Sequence, residues 1–224
     1  ESRGLGDVYK RQGLVDEAIK TLKQNLDGDK VRICLTSPSN FRKDVLPTYK
    51  DNRKAKRKPL VLPLLRKHIM ENHKGVMWDN LEADDVLGIL ATTPDPYFDY
   101  DNVIVSIDKD LRQIPTKVCA DGTNVIEITK AEADYWFMIQ SLTGDHVDGY
   151  GGCPTIGTKT AEKILGDDIN VPILELWDKV VHTYEKKGFT EAEALQQARC
   201  ARILRKGDYN RKKGEVKLWQ PRRR

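Results

Sequence analysis

Three acidic clusters, each at the end of an apolar run or a turn, limit the folds open to this chain. They are Glu82-Ala83-Asp84-Asp85, Asp108-Lys109-Asp110 and Gly144-Asp145-His146-Val147-Asp148-Gly149. The first opens the helical run Val86-Leu87-Gly88-Ile89-Leu90, and the second closes the strand-like run 103–107. The third begins a glycine-rich turn. Carboxylates at element ends can converge on one pocket, where they repel each other unless cations lie between them. An all-oxygen site of that kind suits Mg²⁺ or Mn²⁺, and its natural chemistry is two-metal phosphodiester hydrolysis.

Each cluster alone has a plainer reading. Acids at a solvated helix start favour the macrodipole. An Asp-Lys-Asp after a strand is an ordinary turn. Gly-Asp-His-Val-Asp-Gly is a turn or a calcium loop, although it lacks the ligand spacing of an EF-hand. Charge distribution favours the sharper reading. Residues 42–58 hold eight Lys/Arg against two acids, and residues 199–224 hold eleven against two. Residues 79–110 hold nine acids against one Lys. Basic flanks around an acidic centre fit a polyanion held against a metal-loaded pocket, although charge runs can also be solvated faces.

The 224 residues allow one large domain or two small ones. Four cysteines, Cys34, Cys119, Cys153 and Cys200, form no CxxC pair, which disfavours a zinc knuckle or a disulfide framework. No apolar stretch approaches a bilayer span, and no signal peptide is visible.

Leu14, Val15, Ala18, Ile19 and Leu22 recur at helical spacing. Residues 1–12 carry no periodicity and are expected to be a non-native or disordered leader. Residues 31–35 read as a buried strand, 42–58 as a basic loop, arch or exposed helix, and 60–70 as a helix with Pro63 in its first turn. The acidic helix spans about 82–91, ended by Pro94 and Pro96, and 103–107 is the clearest strand. Thr129 with Glu132 makes a capping box for a helix through Gln140. This order predicts an α/β fold with a parallel sheet whose ligand site lies beyond the carboxyl ends of the strands, where Asp108 and Asp110 fall. After Gly144 the chain reads as helical, with a helix over 158–165 stopped by Gly166. A second helix, capped by Thr190 and Glu193, is expected to end near Lys206, followed by a basic tail with a strand candidate at 216–219.

The four histidines, His68, His73, His146 and His182, show no metal-ligand spacing; three read as surface residues, and His146, inside the acidic motif, is a candidate neighbour of phosphate. Tyr135, Trp136 and Phe137 read as core rather than a base-stacking platform. Gly157-Thr158-Lys159-Thr160 mimics part of a P-loop but lacks its full spacing.

Segments 41–59, 81–90, 103–115, 142–165, 201–210 and 216–221 together carry a resemblance. The sequence resembles the 5′→3′ exonucleases and flap endonucleases, most closely those of T-odd bacteriophages. The resemblance implies a PIN-like (resolvase-like), mostly parallel sheet flanked by helices over 13–143, with a basic arch at 42–58. A helical helix-turn-helix (H3TH) DNA-binding region over 144–206 and a basic tail over 207–224 complete it. It implies that Glu82, Asp84, Asp85, Asp108, Asp110, Asp145 and Asp148 bind two divalent ions, Mg²⁺ or Mn²⁺. It implies that Lys50 and Arg53 approach the scissile phosphate as catalytic residues. It also implies that Arg42, Lys43, Tyr49, Lys54, Gly152, Gly157, Thr158, Lys159, Thr160 and Lys163 contact DNA, with glycine N–H groups and a helix N-terminus near phosphate oxygens. The expected substrates are double-stranded DNA with 5′ ends or flaps and RNA–DNA hybrids. The expected molecule is a cytoplasmic monomer (in the host if phage-encoded) that engages no membrane.

Two departures from the family pattern stand out. Nothing before Val31 reads as the family's first strand with its metal-binding Asp, so a chain shortened at its N-terminus is expected. Ser37 stands where many relatives carry an acid. The rival expectation is therefore a DNA-binding fragment with an impaired metal site.

Overall fold

The computed structural model describes residues 2–53, 57–94 and 101–221, apart from the side chains of residues 2–5 and 7. Eight helices and five short strands lie within them. Helix α1 (Ser2–Asn25) runs through the segment expected as a leader. A Cβ on Gly6 or Gly13 would meet no atom within 4 Å; glycine weakens a helix but, unlike proline, does not break it.

The 31–35 segment is not a strand. Cys34 makes one isolated parallel bridge to Val76, and Val31 is 41% exposed. The start of the segment expected as a loop, arch or exposed helix forms the short helix α2 (Arg42–Val45) and a 3-10 turn (Asp51–Arg53). Helix α3 (Leu62–Asn72) carries Pro63 in its first turn, and α4 (Ala83–Thr92) is the acidic helix.

The central sheet is smaller and more mixed than expected. Strand β1 (Val103–Val105) pairs in parallel with β2 (Lys117–Cys119), which pairs antiparallel with β3 (Val125–Glu127). Between β1 and β2 the chain makes a 3-10 turn (Lys109–Gln113). Helix α5 (Lys130–Thr143) starts at the expected capping box, with Thr129 Oγ1 accepting from Glu132 N and the Glu132 carboxylate accepting from Thr129 N.

Helices α6 (Thr158–Leu165), α7 (Ile173–Lys186) and α8 (Glu191–Ala201) pack against α5. Their shared core centres on Phe137, Met138, Leu142, Leu165, Leu176, Trp177 and Tyr184. Tyr135 and Phe137 are buried there, as read from the sequence. Helix α8 stops at Ala201, short of Lys206, because residues 202–205 turn inward as buried extended chain. A hairpin of β4 (Tyr209–Asn210) and β5 (Glu215–Val216) follows. A second core joins the sheet to Leu111, Ile114 and Ile203, and a third gathers Phe41, Leu81, Val86, Ile89 and Leu204.

Buried charge locks these layers together. Arg42 is 3% exposed and Asp85 0%. Arg42 donates to both Asp85 oxygens, at 2.7 and 2.8 Å, and to the carbonyls of Cys200 and Arg202. Asp85 also accepts from the backbone of Leu204 and Glu82. Arg205 bonds Asp134 at 2.6 Å, and Arg202 bonds Asp208 at 2.9 Å. Gly88 makes the close approach possible, since a Cβ there would lie 2.2 Å from the Leu204 carbonyl oxygen.

Candidate active site

Three elements deliver carboxylates to one end of the small sheet. Glu82 is the N-cap of α4 and Asp84 lies in its first turn. Asp108 and Asp110 follow β1, and Asp108 Oδ1 accepts from Asp110 N at 2.9 Å, which curls the chain into the 3-10 turn. Asp145 and Asp148 sit in a tight loop closed by the Asp145–Tyr150 bridge, with Asp145 Oδ1 accepting from Val147 N at 2.7 Å. Gly144 and Gly152, both at positive φ, let the two ends of this loop touch; a Cβ on either would lie 2.3 Å from backbone of the other end.

Electrostatics register the convergence. Burial pushes Asp84 up to about 7, reinforced by the charges of Asp108, Glu82 and Asp85. Burial likewise pushes Asp110 up to about 6, with Asp108, Asp145 and Asp148 adding repulsion. Asp110 Oδ1 is buried with no hydrogen-bond partner. Burial raises Glu82 too, but Arg42, Lys50 and Tyr49 outweigh it and hold the carboxyl below its usual range.

The basic segment docks on this pocket. Lys50 has φ +58°, a left-handed conformation uncommon for lysine, and its N–H bonds the Asp148 carbonyl at 2.7 Å. Its ammonium bridges Glu82 and Asp148. Arg53 pairs with Asp148 through one nitrogen and donates from Nε to the Val147 carbonyl at 3.0 Å. Asn52 donates to the His146 carbonyl at 2.8 Å. Two cations thus sit directly on the acidic cluster. Among the described residues, no three of these seven carboxylates bring ligand atoms within 4.8 Å of one another.

Several expectations need correction. Asp85 is not available as a metal ligand, because Arg42 and two backbone N–H groups occupy its oxygens. Arg42 is buried in that pair and cannot reach DNA. Tyr49 is 1% exposed, and its hydroxyl oxygen lies 3.0 Å from a Glu82 oxygen and 2.9 Å from an Asp148 oxygen, so its one proton is shared between two carboxylates. Burial raises its phenol far above the usual value, so it remains a donor that holds two acids in place. Gly152 is a turn residue whose N–H bonds Gln197 Oε1 at 2.9 Å, which removes it from the expected phosphate donors. Ser37 is buried and accepts from Ser39 N and Asn80 N.

Other residues lie where DNA could reach them. Gly157, Thr158, Lys159, Thr160 and Lys163 are all exposed at or near the start of α6. Gly157 is its N-cap, and the N–H groups of its first turn include free donors. Lys43 is exposed, with Asp51 at 4.0 Å. His146 is exposed beside the acidic loop. Lys54 lies outside the described residues. No helix among those described is long and apolar enough to cross a membrane.

A family model described as the 5′-3′ exonuclease, N-terminal resolvase-like domain, matches residues 6–139. The exodeoxyribonuclease of Enterobacteria phage T3 is 33% identical, the match covering 96% of this chain and 82% of that protein. The exonuclease of Escherichia phage T7 is 31% identical, covering 96% and 83%. The flap endonuclease Xni of Shewanella baltica is 27% identical, covering 78% and 67%. Among solved structures, the T5 D15 protein co-crystallized with metal ions superposes with a TM-score of 0.66 at 16% identity, covering 84% of this chain and 80% of that one. That likeness gives the fold. With the sequence relatives and the family model in agreement, the chain belongs to the 5′-3′ exonuclease family.

Proposed function

We propose that this chain is a divalent-metal-dependent 5′→3′ exonuclease acting on double-stranded DNA, with flap endonuclease activity and removal of RNA primers. The observation that carries the reading is the buried, unpartnered Asp110 oxygen among carboxylates that raise one another's proton affinity. An orphaned anionic oxygen in a repelling cluster is what a cation would relieve. The metal-ion content of a T5 relative's structure and the DNA and metal ions of another, at TM-scores of 0.66 and 0.60, support the same direction.

Glu82, Asp84, Asp108, Asp110, Asp145 and Asp148 would hold two Mg²⁺ or Mn²⁺ ions. When bound, such ions activate water and stabilise the leaving oxygen of an in-line displacement. Asp85 is left out of the set and instead fixes the start of α4. Tyr49 would orient Glu82 and Asp148 by sharing its one hydroxyl proton between them.

Lys50 and Arg53 neutralise carboxylates in this structure. Were bound cations to take over that task, both side chains would be free to turn toward the scissile phosphate and stabilise its developing charge. The first turn of α6, with Lys159 and Lys163, would grip duplex backbone away from the reacting bond, positioning DNA without reading its sequence.

The test is product analysis. A duplex with a labelled 5′ flap, incubated with this chain and Mg²⁺, should release 5′-phosphorylated products from the 5′ side, and excess chelator should abolish release. Degradation from the 3′ end, or undiminished degradation in chelator, would overturn the reading. Salt-sensitive duplex binding with no hydrolysis would favour a DNA-binding module instead.

A further inference from the structure

Helices α1 and α3 meet without a buried apolar seam, since neither has a fully buried residue among those described. A polar cluster joins them instead. Asp16 Oδ1, on α1, lies 2.6 Å from Nε2 of His68 and 2.6 Å from Nε2 of His73. His68 is on the last turns of α3, and His73 is its C-cap. The histidine side chains are 13% and 21% exposed and that of Asp16 45%, so the cluster is walled by protein on one side and open on the other.

Two ring nitrogens and one carboxylate oxygen lie within 4.8 Å of one another. Two imidazoles with a carboxylate is a donor set that zinc takes with water in the fourth position. Two imidazoles on one tetrahedral ion, at Zn–N of about 2.0 Å, hold their ring centroids roughly 5 Å apart. Here the centroids are 5.4 Å apart, edge to face. The histidine rings therefore need little movement. Asp16, the most exposed of the three, must withdraw by less than about 1 Å to admit the ion. Asn72 Nδ2 lies 3.1 Å from His68 Nδ1. The same nitrogen donates to the His68 carbonyl at 3.1 Å, so freeing the Nε2 lone pair for the metal moves the ring proton to Nδ1 and turns this amide aside.

We propose that Asp16, His68 and His73 form a second metal site, of zinc type, in which one Zn²⁺ ion ties α1 to α3. Imidazole ligands favour Zn²⁺ over Mg²⁺, so this site and the all-carboxylate centre would select different ions.

The test is titration of the full chain with Zn²⁺ in the presence of millimolar Mg²⁺, followed by calorimetry and by histidine ring ¹⁵N shifts. One equivalent should bind, shift the His68 and His73 ring nitrogens and raise the melting temperature. Co²⁺ in its place should give the visible absorption of a tetrahedral site. His68→Gln and His73→Gln should each weaken Zn²⁺ binding at least about tenfold and abolish the Co²⁺ band. Asp84→Asn with Asp108→Asn should leave both signals in place. Zn²⁺ binding that survives both histidine changes, or that is lost with the Asp84 and Asp108 changes, would overturn the proposal. So would unmoved histidine ring shifts in the unaltered chain, a reading that does not depend on any variant folding.

Discussion

Lys50 occupies the acidic pocket in a strained backbone conformation, bonded to Glu82 and Asp148 rather than extended into solvent. A positive-φ lysine fixed by a docked loop indicates that its placement matters more than its local strain. Lys50→Ala and Arg53→Ala should therefore lower the single-turnover cleavage rate more than they weaken duplex binding. Lys159→Ala and Lys163→Ala should do the reverse, and the pair together should reduce the slope of log affinity against log salt by about 2. Stopped-flow rates beside binding isotherms at several salt concentrations separate the two. The carboxylates make a second prediction. Asp84 and Asp110 bind protons more tightly folded than unfolded, with folded values of about 7 and about 6. Their contribution is complete below the unfolded value near 3.8 and is lost as pH rises through 6 and 7. Thermal melts in chelator should accordingly lose this contribution between about pH 4 and about pH 7, and saturating Mg²⁺ should reduce or reverse that loss. A metal-free melt in which Asp84→Asn and Asp110→Asn leave this pH dependence unchanged would show that these two acids do not hold their protons as described.

Among the elements, α4 is the keystone, because its first turn carries both chemistry and a buried lock. The Arg42–Asp85 pair spans α2, α4 and the chain after α8. Arg42→Ala leaves a buried carboxylate without its cation and should destabilise the fold by about 3–5 kcal/mol. Denaturant unfolding measures this, and loss of DNA binding without loss of stability would restore Arg42 to the interface. Gly88→Ala should cost at least about 1–3 kcal/mol by pushing α4 off the Leu204 carbonyl. Helices with local signals were legible in the sequence. The capping boxes at Thr129/Glu132 and Thr190/Glu193 and the Gly166 stop act within a few residues of each other. Helix α7 begins at Ile173, with Pro172 as its N-cap and no side-chain cap, so no capping box marked its start. Strands β2 and β3 are three residues each, and β3 is exposed throughout. Neither is long enough to show a hydrophobic period. The 31–35 run is apolar enough for a strand, yet it found a single bridge partner.

For the molecule as a whole, the acidic centre and its basic flanks were legible because each cluster sits at an element end, and parallel topology gathers such ends. The division of labour inside the cluster was not. Asp84 and Asp85 are adjacent, yet one faces the pocket and the other is sealed against an arginine 43 positions away. Only long-range packing separates them, as only packing brings Asp16 to His68 across 52 positions. The central claim is that the unsealed carboxylates, not the sealed one, carry metal-dependent cleavage. Its most direct measurement is the single-turnover rate on a 5′-flapped duplex, at saturating protein and Mg²⁺, for the unaltered chain and for Asp84→Asn, Asp108→Asn and Asp110→Asn. Each variant should fold, bind duplex as before and cleave at least about a hundredfold more slowly. Cleavage at the unaltered rate in all three would contradict the account.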